Sequence, residues 1–320
     1  MKDMTSKKSS GAFYGRHVGC CRALIPLLLF MQLAVTPRAA GGAEMLHTSV
    51  AFSKSTFLDV SKDRAQSIAA LWTNIVADKW GGTSSTRICS TLAEIETDIR
   101  SKKIDLVVLL SAEYLELREK VPLEPLFIPT RGKDLYDRLV LVVRKDSGSH
   151  SLTDLKGKTL LQQTDLSTDR RSLWLDTLLI RQGVRNSTHF FASTRTMTKP
   201  STCIFTVFFR KADACIVTHR SLRVMAELNP QLSRDLLVLE ESPPWPSSII
   251  AVRKGLPVQH RETIQEVLGT LEQSPQGKQL LTLFRMDSLV SFRPEYLTQM
   301  EKLFRENRRL KLQRQYGYHE

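Results

Sequence analysis

The side chains best suited to chemistry in this sequence are hydroxyls, and they come in short groups beside apolar runs. Ser53, Ser55 and Thr56 follow Thr48–Phe52, and Ser111 and Tyr114 follow Ile104–Leu110. Ser167 and Thr168 stand just beyond Thr159–Gln162, and Thr218 closes Ala214–Val217. A hydroxyl can donate a hydrogen bond to an anion's oxygen without adding charge. Ser167 and Thr168 also precede a helix expected from Arg170, where free backbone N–H groups and the helix dipole favour an anion. Phe57 and Tyr114 would add aromatic surface, Lys199 and Ser201 a far wall, and Trp245 a hinge lining. The same residue types have plainer uses. Serine and threonine are preferred helix N-caps, and Phe57 and Tyr114 suit a core. Both uses stand at this point.

Signals for bond-making chemistry are missing from the sequence. It contains no Gly-x-Ser-x-Gly elbow, no His-Glu-x-x-His and no Cys-x-x-Cys, and its Gly157-Lys158-Thr159 lacks the earlier glycine of a Gly-x-x-x-x-Gly-Lys-Ser/Thr phosphate loop. His189 and His219 stand alone and suit surface or packing roles. No nucleophile, base and orienter assemble, so the expectation is a binding protein without a cofactor or metal.

The elements around these groups alternate between strand and helix. Thr48–Phe52 reads as a strand, and Ala65, Ile68, Ala69, Trp72, Ile75 and Val76 recur at helical spacing before Gly81-Gly82. Thr91-x-x-Glu94 is a capping-box pattern opening a second helix. Ile104–Leu110 is continuously apolar, as in a strand buried on both faces. Strand, helix, helix, strand implies a parallel sheet with crossover helices. The pattern restarts at Leu139–Val143 and runs through Thr159–Gln162, a helix from Arg170 to Gln182, Ala214–Val217 and Leu236–Leu239. Two α/β units follow, from Leu46 to about Pro129 and from Leu139 to about Leu239. Ligands of open α/β sheets bind beyond the strands' carboxyl ends, where the hydroxyl groups lie.

The chain has 320 residues, 42% hydrophobic and 25% charged, which is ordinary globular usage. Its N-terminus carries Lys2, Lys7, Lys8, Arg16 and Arg22, then the apolar run Ala23–Val35, then small residues to Ala43. That order predicts a secretory signal over residues 1–43. Its apolar run is shorter than the roughly 20 residues of a membrane span. Removing six basic residues (those five and Arg38) and the acid Asp3 lowers the net charge from +13 to +8, which still attracts anions. The basic residues are scattered, apart from Arg305, Arg308, Arg309, Lys311 and Arg314, which read as a solvated helix face. No nucleic-acid partner is expected. Cys89, Cys203 and Cys215 remain, an odd count. Cys203 and Cys215 read as a buried helix cysteine and a strand cysteine, with a bridge between them left open.

Several phrases together resemble a family. Leu141-Val142-Val143-Arg144-Lys145-Asp146-Ser147-Gly148, then Leu152-Thr153-Asp154-Leu155-Lys156-Gly157-Lys158, is similar to the phosphate/phosphite/phosphonate periplasmic solute-binding proteins of ABC transporters. Phe209–Ala214, Asp105–Tyr114 and Pro275–Leu281 resemble further phrases of that family. The resemblance implies a two-lobed periplasmic-binding-protein fold of type II character. Each lobe would be a mixed or parallel sheet flanked by helices, joined by two hinge crossovers. Residues 44–137 and 244–320 would form lobe one, and 138–243 lobe two. It also places Ser167-Thr168 at the family's Ser/Thr-rich phosphate loop, here flanked by Asp165 and Asp169. Thr218 stands where aminophosphonate-binding members carry an acid, which argues against a ligand with an amine. The expected partners are a small anionic ligand and an ABC permease in the inner membrane. A membrane sensor kinase or cyclase is the alternative partner, and the protein is expected to be a periplasmic monomer.

Overall fold

Ten α-helices and eleven strands, with short 3-10 turns between them, follow one another among the described residues of the computed structural model, which are 46–57, 60–131, 134–163, 170–184 and 190–316. The first half contains β1 (His47–Ser53), α1 (Lys62–Trp80), β2 (Thr83–Cys89), α2 (Leu92–Arg100), β3 (Leu106–Leu110), α3 (Ser111–Leu117) and β4 (Leu123–Pro129). Next come β5 (Leu139–Arg144), β6 (Thr159–Gln163), α4 (Arg170–Arg181), β7 (Ser193–Met197), α5 (Pro200–Phe208), β8 (Ala214–Thr218), α6 (His219–Leu228), α7 (Pro230–Asp235) and β9 (Leu236–Glu241). The chain closes with β10 (Ser248–Arg253), α8 (Val258–Gly269), α9 (Pro275–Leu283), β11 (Leu289–Ser291) and α10 (Thr298–Tyr316).

The strands form two mixed sheets. One has the order β11-β4-β10-β3-β1-β2 and the other β7-β6-β8-β5-β9. In the first, β1 runs parallel to β2 and β3, while β10 inserts antiparallel between β3 and β4. In the second, β6 is parallel to β7 and β8, and β5 is antiparallel to β8 and β9. Central strands explain the apolar runs, because every residue of Leu106–Leu110 is buried, as is every one of Leu139–Val143. The expected helix starts and stops also appear. Thr91 Oγ1 accepts the N–H of Glu94 at 3.2 Å, while Glu94 Oε2 accepts that of Ser90 at 3.0 Å. Gly81 ends α1 at φ +69°, a conformation that glycine adopts without Cβ strain.

The expected order of strand, helix, helix, strand needs correction. Between α1 and α2 lies β2, an edge strand of sequence TSSTRIC. Only its last two residues are buried, so no alternating apolar signal marked it. Edge strand β7, STRTM, escaped for the same reason, being exposed at four of its five positions.

The two sheets share packing. One apolar cluster contains Leu109 of the first sheet and Tyr114 of α3, Leu141 and Leu160 of the second sheet and Trp174 of α4, and Trp245, Met300 and Leu303. Helix α10 spans this junction. It reaches α4 through Asn307 Nδ2, which donates to Thr177 Oγ1 at 3.0 Å, and through an Arg181–Glu306 pair at 2.6 Å. It reaches the end of α3 through Arg118–Glu301 at 2.7 Å and Arg308–Glu119 at 3.1 Å. Cys203 in α5 and Cys215 in β8 are both buried and unbridged. Burial holds the Cys215 thiol well above its ordinary pKa and pushes that of Cys89 up to about 11.

Candidate functional site

Parallel pairing decides what meets at the end of the first sheet. With Val50 opposite Leu106 and Phe52 opposite Val108, the carboxyl ends of β1 and β3 lie side by side. Ser53 ends β1 and caps the 3-10 turn Lys54–Thr56, and Ser111 opens α3 directly after β3. Antiparallel β10 pairs Ser248 with Leu110, which brings Pro246 and Ser247 to the same place. The structure therefore gathers Ser53, Ser55, Thr56 and Ser111 at one strand end.

Three of these four hydroxyls are already committed. Ser53 Oγ donates to Glu113 Oε1 at 2.7 Å, Thr56 Oγ1 to the Ser53 carbonyl at 2.7 Å and Ser111 Oγ to the Pro246 carbonyl at 2.6 Å. Each hydroxyl has one proton to give, so these three hold the turn, the helix start and the returning chain. Ser55, 3% exposed, makes no side-chain hydrogen bond to any other described residue. Lys54 Nζ donates to the carbonyls of Phe57, at 3.2 Å, and Val60, and burial lowers its pKa.

Glu113 was not singled out by its sequence context. It is fully buried, accepts Ser53 Oγ through one oxygen and the Leu110 N–H at 2.8 Å through the other, and so ties β1, β3 and α3 together. A buried carboxylate must be hydrogen-bonded, and here each oxygen is.

The aromatic candidates sit inside the core. Phe57 packs with Phe52 and Phe284 at centroid distances of 5.6 and 6.1 Å. Tyr114 lies 6.5 Å from Phe292, with Arg118 over its ring, and burial raises its phenol pKa.

In the second sheet, Thr218 ends β8 opposite Leu139 and caps α6 by accepting the Ser221 N–H at 3.1 Å. Lys199 is exposed at the cap of α5, and Ser201 is half-buried in its first turn. Neither is brought to Thr218 by a hydrogen bond or ion pair. Ser167 and Thr168 lie outside the described residues, between the end of β6 and the start of α4. The residue leading into that segment, Gln163, is 6% exposed, and its amide makes no hydrogen bond to a described residue. Its amide lies outside the hydroxyl pattern that marks the other candidates, so the sequence around it carries no signal.

The sheets are joined by two crossovers that pair with each other. Asp137 and Trp245 exchange both backbone hydrogen bonds at 3.0 Å, and Trp245 is 2% exposed. Arg220, two residues past Thr218, donates to the Arg131 carbonyl and lies 3.6 Å from Asp137. The crossovers are thereby fixed to the carboxyl end of β8. Among the described residues no group of histidine, cysteine, aspartate and glutamate could hold a metal ion. No described helix is long and apolar enough to cross a membrane.

Comparison with known proteins places this architecture. Residues 56–297 match the family model described as ABC transporter, phosphonate, periplasmic substrate-binding protein. Among solved structures, a Xanthomonas citri protein bound to ATP has a TM-score of 0.64 at 17% identity, covering 83% of this chain and 98% of that one. A binding-protein component of an ABC phosphonate transporter from Pseudomonas aeruginosa has 0.63 at 14%, covering 85% and 89%. PhnD1 from Prochlorococcus marinus, in complex with methylphosphonate, has 0.59 at 18%, covering 81% and 97%. No curated protein matches the chain. These likenesses bear out the expected two-lobed fold of type II character, and the family is one of solute binders rather than enzymes. Family membership implies a small ligand and a membrane permease as partner. On the family match, which spans three quarters of its length, the chain belongs to the phosphonate periplasmic substrate-binding proteins of ABC transporters.

Proposed function

We propose that this protein captures a small phosphate, phosphite or phosphonate oxyanion between its two lobes and delivers it to an ABC permease. The observation that supports the ligand class is a pair of buried donors at strand carboxyl ends that make no side-chain hydrogen bond to another described residue. Ser55 ends the approach from the first sheet and Gln163 that from the second. Both donate without bringing charge. Ser167 and Thr168, before α4, extend the second group in this reading. Ser53, Thr56 and Ser111 position Ser55 rather than touch the ligand, and Lys199 and Ser201 stay at the rim. Thr218, capping α6, offers an amine no carboxylate, so the reading favours a ligand without one.

Strand membership supports the lobes proposed here, 44–137 with 244–320 and 138–243. Residues 1–43 are proposed as a cleaved export signal that delivers a monomer to the periplasm. Lobe closure is the mechanism, because a ligand touched by both lobes stabilises the closed state by its differential affinity.

The test is a thermal-shift series of the chain with phosphate, phosphite and methylphosphonate. A ligand at a hundred times its Kd adds about 2.7 kcal/mol, which for a chain of this size raises Tm by roughly 5 °C. Silence with all three ions overturns the ligand class. Replacing Ser167 and Thr168 together by alanine is expected to weaken the bound ion at least tenfold, and unchanged affinity reduces both to helix caps.

A further inference from the structure

A surface cavity of about 390 Å³ lies at the far end of the first sheet, and its lining is cationic. Arg100 and Lys102 come from the end of α2 and the turn after it, and Arg253 and Lys254 from the end of β10. Ile99 and Pro122 supply an apolar floor. This end is opposite the strand end that carries Ser55 and Ser111. Asp105, at the cavity end, precedes the five residues of β3 and Ser111 follows them. At about 3.3 Å per residue, the two ends are roughly 20 Å apart.

The two arginines are held in place by the protein. Arg253 pairs with Asp105 at 3.0 Å and donates to the Gly255 carbonyl at 3.1 Å. Arg100 pairs with Glu96 at 2.9 Å and donates to the Lys120 carbonyl at 2.6 Å. The lysines differ, for both are exposed and neither makes an ion pair among the described residues. Their backbones are nevertheless fixed. Lys254 N donates to the Pro122 carbonyl at 2.9 Å, and Lys102 N to the Ile99 carbonyl at 3.0 Å. Lys102 sits at φ +56°, a left-handed conformation unusual for a residue with a side chain. The arginines cancel against Glu96 and Asp105, so the cavity keeps the charge of two ammonium groups over an apolar floor.

We propose that this cavity is a second anion site, separate from the interlobe cleft, which takes a small polyanion of the diphosphate or polycarboxylate class. Two point charges on rigid backbones suit a ligand with two separated negative groups, and the floor suits the linker between them. The occupant is small, because the cavity holds about 390 Å³ between the ends of α2 and β10 and the residue before β4.

The probe is inorganic pyrophosphate, titrated calorimetrically into the full chain at low ionic strength, with and without saturating methylphosphonate. One equivalent is expected to bind in both conditions. Affinity is expected to fall at least tenfold in the Lys102→Gln, Lys254→Gln pair and to survive in Ser55→Ala. Lys102→Gly with Lys254→Gln provides a second charge-removed chain should the first fail to fold, and the melting temperature reports folding for both. Absence of binding by wild type at low-millimolar pyrophosphate overturns the proposal. So does unchanged affinity in a folded lysine variant, or one-for-one displacement by methylphosphonate. A chain that ignores methylphosphonate yet binds pyrophosphate through the lysines keeps this site and loses the proposed cleft ligand.

Discussion

The difference between Ser53 and Ser55 is one of available protons. Both are buried at the end of β1, yet among the described residues only Ser53 has a carboxylate to donate to. Ser53→Ala leaves the Glu113 carboxylate short of a partner and is expected to cost about 1.5–3 kcal/mol of stability. Ser55→Ala, which strands no described partner, is expected to cost less than about 1 kcal/mol while weakening oxyanion binding. Denaturant melts and a binding titration of both variants check the split. A stable Ser53→Ala, or a Ser55→Ala that binds like wild type, refutes it. Buried His260 offers a second residue-level test. Its ring is 2.7 Å from Thr48 Oγ1, and burial lowers its pKa below the ordinary 6.5. The unfolded chain then takes up a proton more readily than the folded one. Stability is complete above pH 6.5 and is lost as pH falls through 6.5 toward the folded value. His260→Gln is expected to flatten the Tm profile between about pH 7.5 and 5.5, and an unaltered slope refutes the assignment.

At the level of elements, α10 shows how unequal the polar contacts of one helix are. Asn307 is 4% exposed and donates to Thr177 Oγ1 and, at 3.4 Å, to the Leu173 carbonyl of α4. Arg308, one residue on, makes its pair with Glu119 on the surface. Asn307→Ala is expected to cost about 1–3 kcal/mol, and Arg308→Ala less than about 1 kcal/mol. Chemical denaturation measures both, and equal losses contradict the distinction. The sequence showed the helical spacing of α1, the capping box of α2 and the buried runs of β3 and β5, since burial on both faces leaves a continuous apolar record. It did not show β2 or β7, because these largely exposed edge strands carry hydroxyls where a pattern needs apolar residues. Nor could it tell a capping hydroxyl from a free one. Ser53, Ser55 and Ser111 are the same residue type after strands, and what separates them is a carboxylate 60 positions from Ser53 and a carbonyl 135 positions from Ser111.

For the whole molecule, chain order and spatial order diverge in an informative way. Strand β10 returns after the second sheet is complete and inserts into the middle of the first. The first sheet therefore closes only when the chain has crossed over twice, and the carboxyl ends of β1 and β3 acquire Pro246 and Ser247 last. The family resemblance was legible as a series of ordinary phrases whose order carried the information. The interlobe geometry was not, because it depends on pairings such as Asp137 with Trp245 that leave no local pattern.

That pairing also gives the protein an optical reporter. Of the four tryptophans, Trp72 and Trp80 lie on α1 and Trp174 on α4, so Trp245 alone sits in a crossover. Ligand-induced closure is expected to alter intrinsic emission in wild type and to leave Trp245→Phe spectroscopically silent, with its calorimetric affinity retained. A full emission change in that variant would assign the signal to a helix tryptophan instead.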